Sequence, residues 1–462
     1  MDGQSILIAC VLASVVWGGA VAAEERQVTF SAKNHDLDNN DNFSVDLRFL
    51  CYDTRDTVGP GIDNSQSIEK VEIATGIETV LYAPPSITGA QAAPGLGAAS
   101  FSPVADKVAF IHGPPIDQVE ARGCYAKPNR NGAEVAGDGS QRLVWLDCRD
   151  TETTRPTLPG AHRGGTHRHE YSLDGRRIGF TYDDILLTEY DRTIGYMEPH
   201  PAAPGGATHY FAVLVPVVPK GTARPGEIEK AYGDAWIGRE GLMRAFIGKV
   251  RTEDGGHEES LFVVDVPRDV DITTADSGSV ERFPSPPQGI RIRRLTHAWA
   301  GGIVRGTVAG DRIAYYGRAA DGSTQIFIIP ADGSDRDPDP AKRPVQATHF
   351  AHGAGPGLRW HPSGRAIACI SYNGVAVTCV EPGARFGQTM FLTPQGDGPE
   401  RTALVWAPDG SVLAYNKPVP TYHPDGSRAR AFDGADFRRI FVVPYPDRDG
   451  DGLVDPEEAG AN

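Results

Sequence analysis

The chain repeats one phrase: an aromatic residue, a short turn, then a short strand ending in an aromatic or aliphatic run. It spans Phe43–Tyr52, Phe101–Phe110, Tyr171–Phe180, Trp360–Cys369 and Trp406–Tyr415, with a diluted copy over Val308–Tyr315. A second landmark precedes it. Short strands ending in Thr29, Thr296, Thr348 and Thr393 stand 12 to 14 residues before Phe43, Val308, Trp360 and Trp406. Self-similarity at such a period marks a repeat architecture. Many short strands rich in β-branched and aromatic residues fit the blades of a propeller, whose ring closure protects most sheet edges. The spacing predicts an all-β fold of six to seven four-stranded antiparallel blades, with seven favoured. Between Tyr171 and Val308 one unmarked blade is expected from His209–Val218, Ala245–Val250 and Ser260–Val266. Gln27–Phe30 is expected to complete the last blade beside Arg439–Pro444, and Glu227–Trp236 is read as a short helix in an insertion.

At 462 residues the chain is long enough for such a ring, and 54 glycines and 36 prolines suit its many turns. A net charge of −15 argues against nucleic acid, whose binding rests on a basic surface. Residues 1–23 read as a signal peptide: an apolar Ile6–Val16, then Gly18 and Gly19, then small residues at Val21–Ala23 before Glu24. The propeller is assigned to residues 24–446 and a tail to 447–462. The expected location is therefore exported, periplasmic or extracellular, with no membrane-spanning segment after cleavage. Cysteines fit an oxidising compartment. Cys369 with Cys379, and Cys124 with Cys148, are candidate bridges, while Cys51 is expected to fill a core position.

The sharpest local motif is at the C-terminal end, where Asp447–Glu458 satisfies D-x-D-x-D-G-x5-E. Such a loop directs many hard oxygens at one calcium ion. Asp447, Asp449 and Asp451 supply carboxylates, Leu453 its carbonyl, Asp455 a direct or water-mediated ligand, and Glu458 closes the site. Gly452 makes the tight turn. The loop resembles those of EF-hands, dockerins and thrombospondin type 3 repeats, although a strand precedes it and only four residues follow. Its expected role is to stiffen the C-terminus or dock a partner.

The repeated blade with its preceding Leu-Thr strand resembles the TolB-like β-propellers and, within them, the YidR-like family of propeller proteins of unassigned function. The resemblance is densest at Asn34, His35, Asn42 and Phe43, at Phe110–Pro114, and from Arg163 through His169 to Asp184. It recurs at Glu227, Ile228, Ala231, Tyr232 and Trp236–Gly238. It implies the propeller fold and carries no activity with it. Thr166, His167 and His169, followed by Ser172, Asp174 and Gly175, also resemble a stretch of the oligogalacturonate lyases. That likeness implies manganese, or another divalent metal, held by His167 and His169 with a third histidine from another blade. His112, His349 and His352 are the candidates. The family's glutamine three residues before the first histidine is Gly164 here.

In a propeller the leading ends of the innermost strands surround one channel, so His35, His112, His167, Arg168, His169 and His352 form the candidate ligand site at its mouth. Arg163, Arg305, Arg359 and Arg401 fall near the same segments. Asn34–Asn42 is polar enough to cap and turn the first blade. No complete catalytic motif is present. The favoured reading is a binding or scaffolding protein with a ligand or envelope protein partner at the channel mouth. The alternative is a metal-dependent lyase or hydrolase acting on acidic oligosaccharides.

Overall fold

The computed structural model describes residues 24–38, 41–84, 95–447 and 452–453. Its strands form seven radial blades. Blade 1 pairs Phe49–Asp53, Ile68–Glu72 and Glu78–Tyr82, and its innermost position is an irregular segment bridged at Asp36–Asp53 and Phe43–Leu50. Blades 2 to 6 are four-stranded antiparallel sheets in chain order. Their innermost strands are Gly97–Phe101, Gly165–Tyr171, Ile228–Ile237, Ala300–Gly306 and Arg359–Trp360. Blade 7 takes Thr402–Trp406, Val412–Pro418 and Arg438–Pro444 from the C-terminal end. Its outer strand is Arg26–Gln27, paired with Val442 and Phe441. The expected closure by the N-terminal strand is therefore observed.

Both sequence landmarks have a physical basis. In the turn after the innermost strand of blades 1, 3 and 5 a serine or threonine holds the chain, as where the Ser172 hydroxyl donates to Asp174 and accepts from the Arg177 amide; Ser44 and Thr307 do the same. The threonine that ends each Leu-Thr segment serves a different joint. Thr296, Thr348, Thr393 and Thr29 each accept, through Oγ1, a backbone N–H from the third strand of blades 4 to 7, at 2.9 to 3.0 Å. The residue before it, Leu295, Ala347, Leu392 or Val28, is buried in a seam between blades. One hydroxyl thus satisfies a donor that the short outer strand leaves unpaired.

Two expectations are corrected. Ile228–Ile237 is the innermost strand of blade 4, not a helix. A left-handed Gly233 (φ 65°) and two register shifts break its two-residue alternation. Ile228, Ala231, Tyr232, Ala235 and Trp236 then fall at intervals that imitate a helix face. His209–Val213 is the outer strand of blade 3 rather than part of blade 4. The cysteine pairing also differs. A two-residue Tyr372-Asn373 turn sets Cys369 opposite Ala376 and Cys379 opposite Ala366, and no disulfide forms among the described residues. Cys51 is buried, as expected.

Apolar clusters fill the seams between blades, for example Phe180, Tyr196, Trp236 and Phe246 between blades 3 and 4. The seam between blades 2 and 3 differs. Beside Ala109 and Leu146 it holds buried polar groups: Asp147 accepts from Asn131 (2.7 Å), the Gly132 amide (3.0 Å) and Thr166 (2.5 Å).

Candidate functional site

The next-to-last residue of the innermost strand is buried and charged in three blades: Glu170, Arg305 and Arg359. These side chains meet on the propeller axis. Arg359 Nη1 lies 3.4 Å from Asp41 Oδ1, joining blades 6 and 1, and Arg305 Nη1 lies 3.9 Å from Glu170 Oε1, joining blades 5 and 3. Neither pair belongs to neighbouring blades, so both contacts cross the channel. Arg244 of blade 4 completes the group, 3.1 Å from Glu170 and bonded at 2.6 Å to Asp234.

Burial dominates the electrostatics of this girdle. It lowers Arg305 well below the ordinary arginine range, an effect that neighbouring Arg359 and Arg168 reinforce. Burial likewise raises the Asp41 carboxyl, against the pull of Arg359. At Glu170 the balance reverses: burial pushes upward, but Arg244, Arg305, Arg168 and Arg359 together hold it below the usual carboxylate range. Asp41 keeps 44% of its side chain accessible despite its crowded surroundings, while Glu170, Arg305 and Arg359 keep only 9%, 6% and 8%, so Asp41 is the exposed end of the girdle.

A kink in each innermost strand aims these residues. Three or four positions before the last residue of the innermost strand, the backbone of blades 2 to 7 enters the left-handed region at Ala98, Arg168, Gly233, Gly302, Gly357 and Ala403. Register shifts accompany it in five of these blades. Such bulges re-aim side chains at functional rims. At Arg168 (φ 58°) the bulge also separates His167 from His169, so the two imidazoles do not share a face as simple alternation predicts. His169 turns into the polar seam, 3.0 Å from Thr166 Oγ1, and is fully buried with His162 and Asp147. His167 stays half-buried, paired across the strand with Thr181. Burial, with Arg130 and Arg192 facing it, depresses its pKa well below the usual value.

The other candidate histidines lie apart. His35 is buried between blades 1 and 7, 3.1 Å from Glu78, with its ring against Tyr52. His112 is buried in blade 2, 3.1 Å from the Tyr82 hydroxyl and packed on Trp145. His352 is exposed and stacks on Tyr372 at 4.3 Å. His349 accepts from Gln346. Among the described residues no three or more His, Cys, Asp or Glu side chains converge as a metal-ligand set. At Gly164 even a Cβ would stand 2.0 Å from the Asp183 carbonyl, so no ligand-bearing side chain fits there. Asn34 and Asn42 cap backbone groups, as expected: Asn34 accepts from the Arg438 amide, and Asn42 donates to the Cys51 and Ala99 carbonyls.

The C-terminal loop sits on the opposite face, among the marker turns. Asp449, Asp451, Asp455 and Glu458 lie outside the described residues, as does the expected signal peptide. Gly452 has φ 82° and donates to Asp447 Oδ2 at 2.7 Å. Its Cα lies against Ser363 and His361 of blade 6, where a Cβ would clash, and Leu453 is buried beside Trp406 and Tyr445.

Comparison with known proteins places these features in context. The family model described as "Protein of unknown function (DUF3748)" matches residues 95–203. The uncharacterized protein YidR of Escherichia coli (strain K12) is 31% identical over 422 residues, covering 84% of this chain and 94% of that protein. Among solved structures, TolB from Acinetobacter baumannii is 10% identical with a TM-score of 0.37, covering 86% of this chain and 80% of that one. The β-propeller domain of the Trilobed protease from Pyrococcus furiosus is 9% identical with a TM-score of 0.46, covering 89% and 96%.

Proposed function

We propose that this chain, which belongs to the YidR family, is an exported binding or scaffolding propeller whose ligand or partner engages the mouth of the central channel. The observation that carries this reading is the charged girdle: blades 1, 3, 5 and 6 bring Asp41, Glu170, Arg305 and Arg359 together, with Asp41 its exposed member. Burying so many charges costs folding energy, and binding at that place would use the cost. Hydrogen–deuterium exchange tests the reading on protein repurified from an envelope extract. Protection is expected in the mouth loops around residues 349–358 and 371–374. Protection confined to the marker turns, or none, would overturn it.

Export rests on the N-terminal sequence pattern. Among the described residues the first ion-paired one is Glu25, and no helix is long and apolar enough to cross a membrane. Calcium is proposed as the ligand of the 447–458 loop. The left-handed Gly452 and its bond to Asp447 support it, being the turn and first position that such a loop requires. Because Leu453 anchors the loop in the core, ordering by calcium should reach the fold. At one hundred times the dissociation constant, calcium is expected to stabilise by about 2.7 kcal/mol. The check is a rise in the melting midpoint that magnesium does not reproduce and that Asp447→Ala removes; an equal midpoint with calcium or chelator would reject the site.

A further inference from the structure

Resting on the mouth reading above, we propose that an oxyanion site lies on the mouth face between blades 2 and 3, where Arg130, with Tyr125 and His167 beside it, holds a carboxylate- or phosphate-bearing small molecule. Arg130 immediately precedes Asn131–Ala136, the third strand of blade 2, and His167 lies near the start of Gly165–Tyr171, the innermost strand of blade 3. In antiparallel four-stranded blades those two starts fall at the same end, the mouth end. The two segments touch: a Cβ at Gly165 would stand 2.4 Å from the Lys127 carbonyl oxygen and 2.9 Å from the Arg130 amide nitrogen.

Eight arginines are buried among the described residues. Seven of them donate side-chain hydrogen bonds, Arg163 to Thr157, Arg177 to the Gly241 carbonyl and Arg401 to Glu25 among them. Arg130 is the exception. It is 4% exposed, its guanidinium has no hydrogen bond or ion pair among the described residues, and Nε and Nη1 are shut away from water as well. The carboxylate whose charge reaches it, Asp183, is already engaged by Arg192 through bonds of 2.6 to 3.2 Å. Burial lowers the Arg130 pKa, and Arg192 lowers it further, against the pull of Tyr125 and Asp183. A buried cation in this state costs folding energy, which a bound anion offsets through charge-assisted hydrogen bonds. The Tyr125 ring lies 5.1 Å from the guanidinium; such stacking occupies the face of the fork and leaves its N–H edge for a ligand. The Tyr125 hydroxyl and His167 Nδ1 are buried without a hydrogen-bond partner too. Burial keeps that hydroxyl protonated and the His167 ring uncharged, so both serve as neutral donors. Three neighbouring side chains thus hold donors with nothing to receive them, a set that matches an oxyanion. Tyr125 and His167 are only half-buried, and the ligand enters past them.

Arg130→Met in the full chain separates ligand binding from packing. An apolar stem still fills the space, so the melting midpoint is expected to hold or rise once the unpaired charge is gone. Oxyanion affinity is expected to fall about tenfold or more, the scale of lost charge-assisted bonds. Tyr125→Phe, which removes only a hydroxyl, is expected to weaken binding about threefold or more and leave the midpoint in place. The probes are inorganic phosphate and citrate, titrated calorimetrically at constant ionic strength. Saturable binding of either or both that weakens in Arg130→Met supports the site and identifies the oxyanion it prefers. The proposal is overturned if neither binds the wild type, or if Arg130→Met binds them equally well. Should Arg130→Met fail to fold, Tyr125→Phe decides: weakened binding supports the site and an unchanged affinity overturns it. Mouth-loop protection from extract without oxyanion binding would sink this site and leave the mouth reading standing.

Discussion

Glu25→Ala is expected to lower the unfolding free energy by about 3–5 kcal/mol, the cost of breaking a largely buried ion pair from one side. Glu25 accepts from Arg401 at 2.8 and 3.0 Å and also from Tyr415 and Lys417. Arg401 and Lys417 are only 9% and 14% exposed, so removing the carboxylate strands two cations that water cannot reach well. Arg401 also donates to the Asn373 carbonyl of blade 6, which ties the closing strand to the neighbouring blade. The adjacent strand, Arg26–Gln27, makes few ladder bonds of its own, so the side-chain anchor carries much of the ring's closure. Chemical denaturation followed by circular dichroism checks this. A change below about 0.5 kcal/mol, the size typical of a surface pair, would show that Glu25 does not hold the ring.

Acidification from pH 7 toward 4 should destabilise the protein progressively, beginning near pH 6.5. His112, His169 and His209 are each depressed to about 4 by burial, which disfavours the charged ring; Asp147 partly opposes this at the last two, as the Gly113 carbonyl does at His112. His35 and His167 move in the same direction, again through burial. Between about pH 4 and 6.5 the unfolded chain therefore binds protons that the folded chain refuses, and stability rises with pH. Each such histidine contributes about 1.4 kcal/mol per pH unit inside that window. Further down, Glu78, Asp147 and Glu170 act in the same sense. Their partners overcome the opposing effect of burial and hold them below the usual carboxylate range. Their stabilisation is present above the unfolded pKa and is lost as pH falls through the folded one. Urea midpoints at pH 7.5 and 5 provide the measurement. An equal or higher midpoint at pH 5 would mean that these imidazoles are not held neutral.

The propeller was legible because its two landmarks serve repeated mechanical needs: a hydroxyl holding the turn in blades 1, 3 and 5, and a threonine satisfying the third strand in blades 4 to 7. Blade 4 was misread for a reason rooted in the same architecture. A bulge inside a strand shifts the apolar residues from alternate to helix-like intervals, and nothing in Ile228–Ile237 except Gly233 announces it. The histidines show the same limit. His167 and His169 are correctly placed on the innermost strand of blade 3, but the left-handed Arg168 parts them and leaves His169 in a seam. The charged girdle did leave a trace. Glu170 and Arg359 immediately precede their marker aromatics, Tyr171 and Trp360, where an inner strand facing only apolar neighbours would carry neither; Arg305 stands three residues before Val308 and is aligned with them only by the strand ends. Asp41 and Arg244 were not legible, since their meeting depends on the width of the axis rather than on any local pattern.

The pairing of Arg26 with Val442 governs when the molecule can finish folding. One of the first described residues must wait for nearly the last, so the ring stays open until the last blade is available, across a membrane too if the chain is exported as proposed. A contact spanning that sequence distance is slow to form, because loop closure must precede any reward. An export machine that threads unfolded polypeptide would meet a substrate held unfinished by its own topology, locking only after the final blade has crossed.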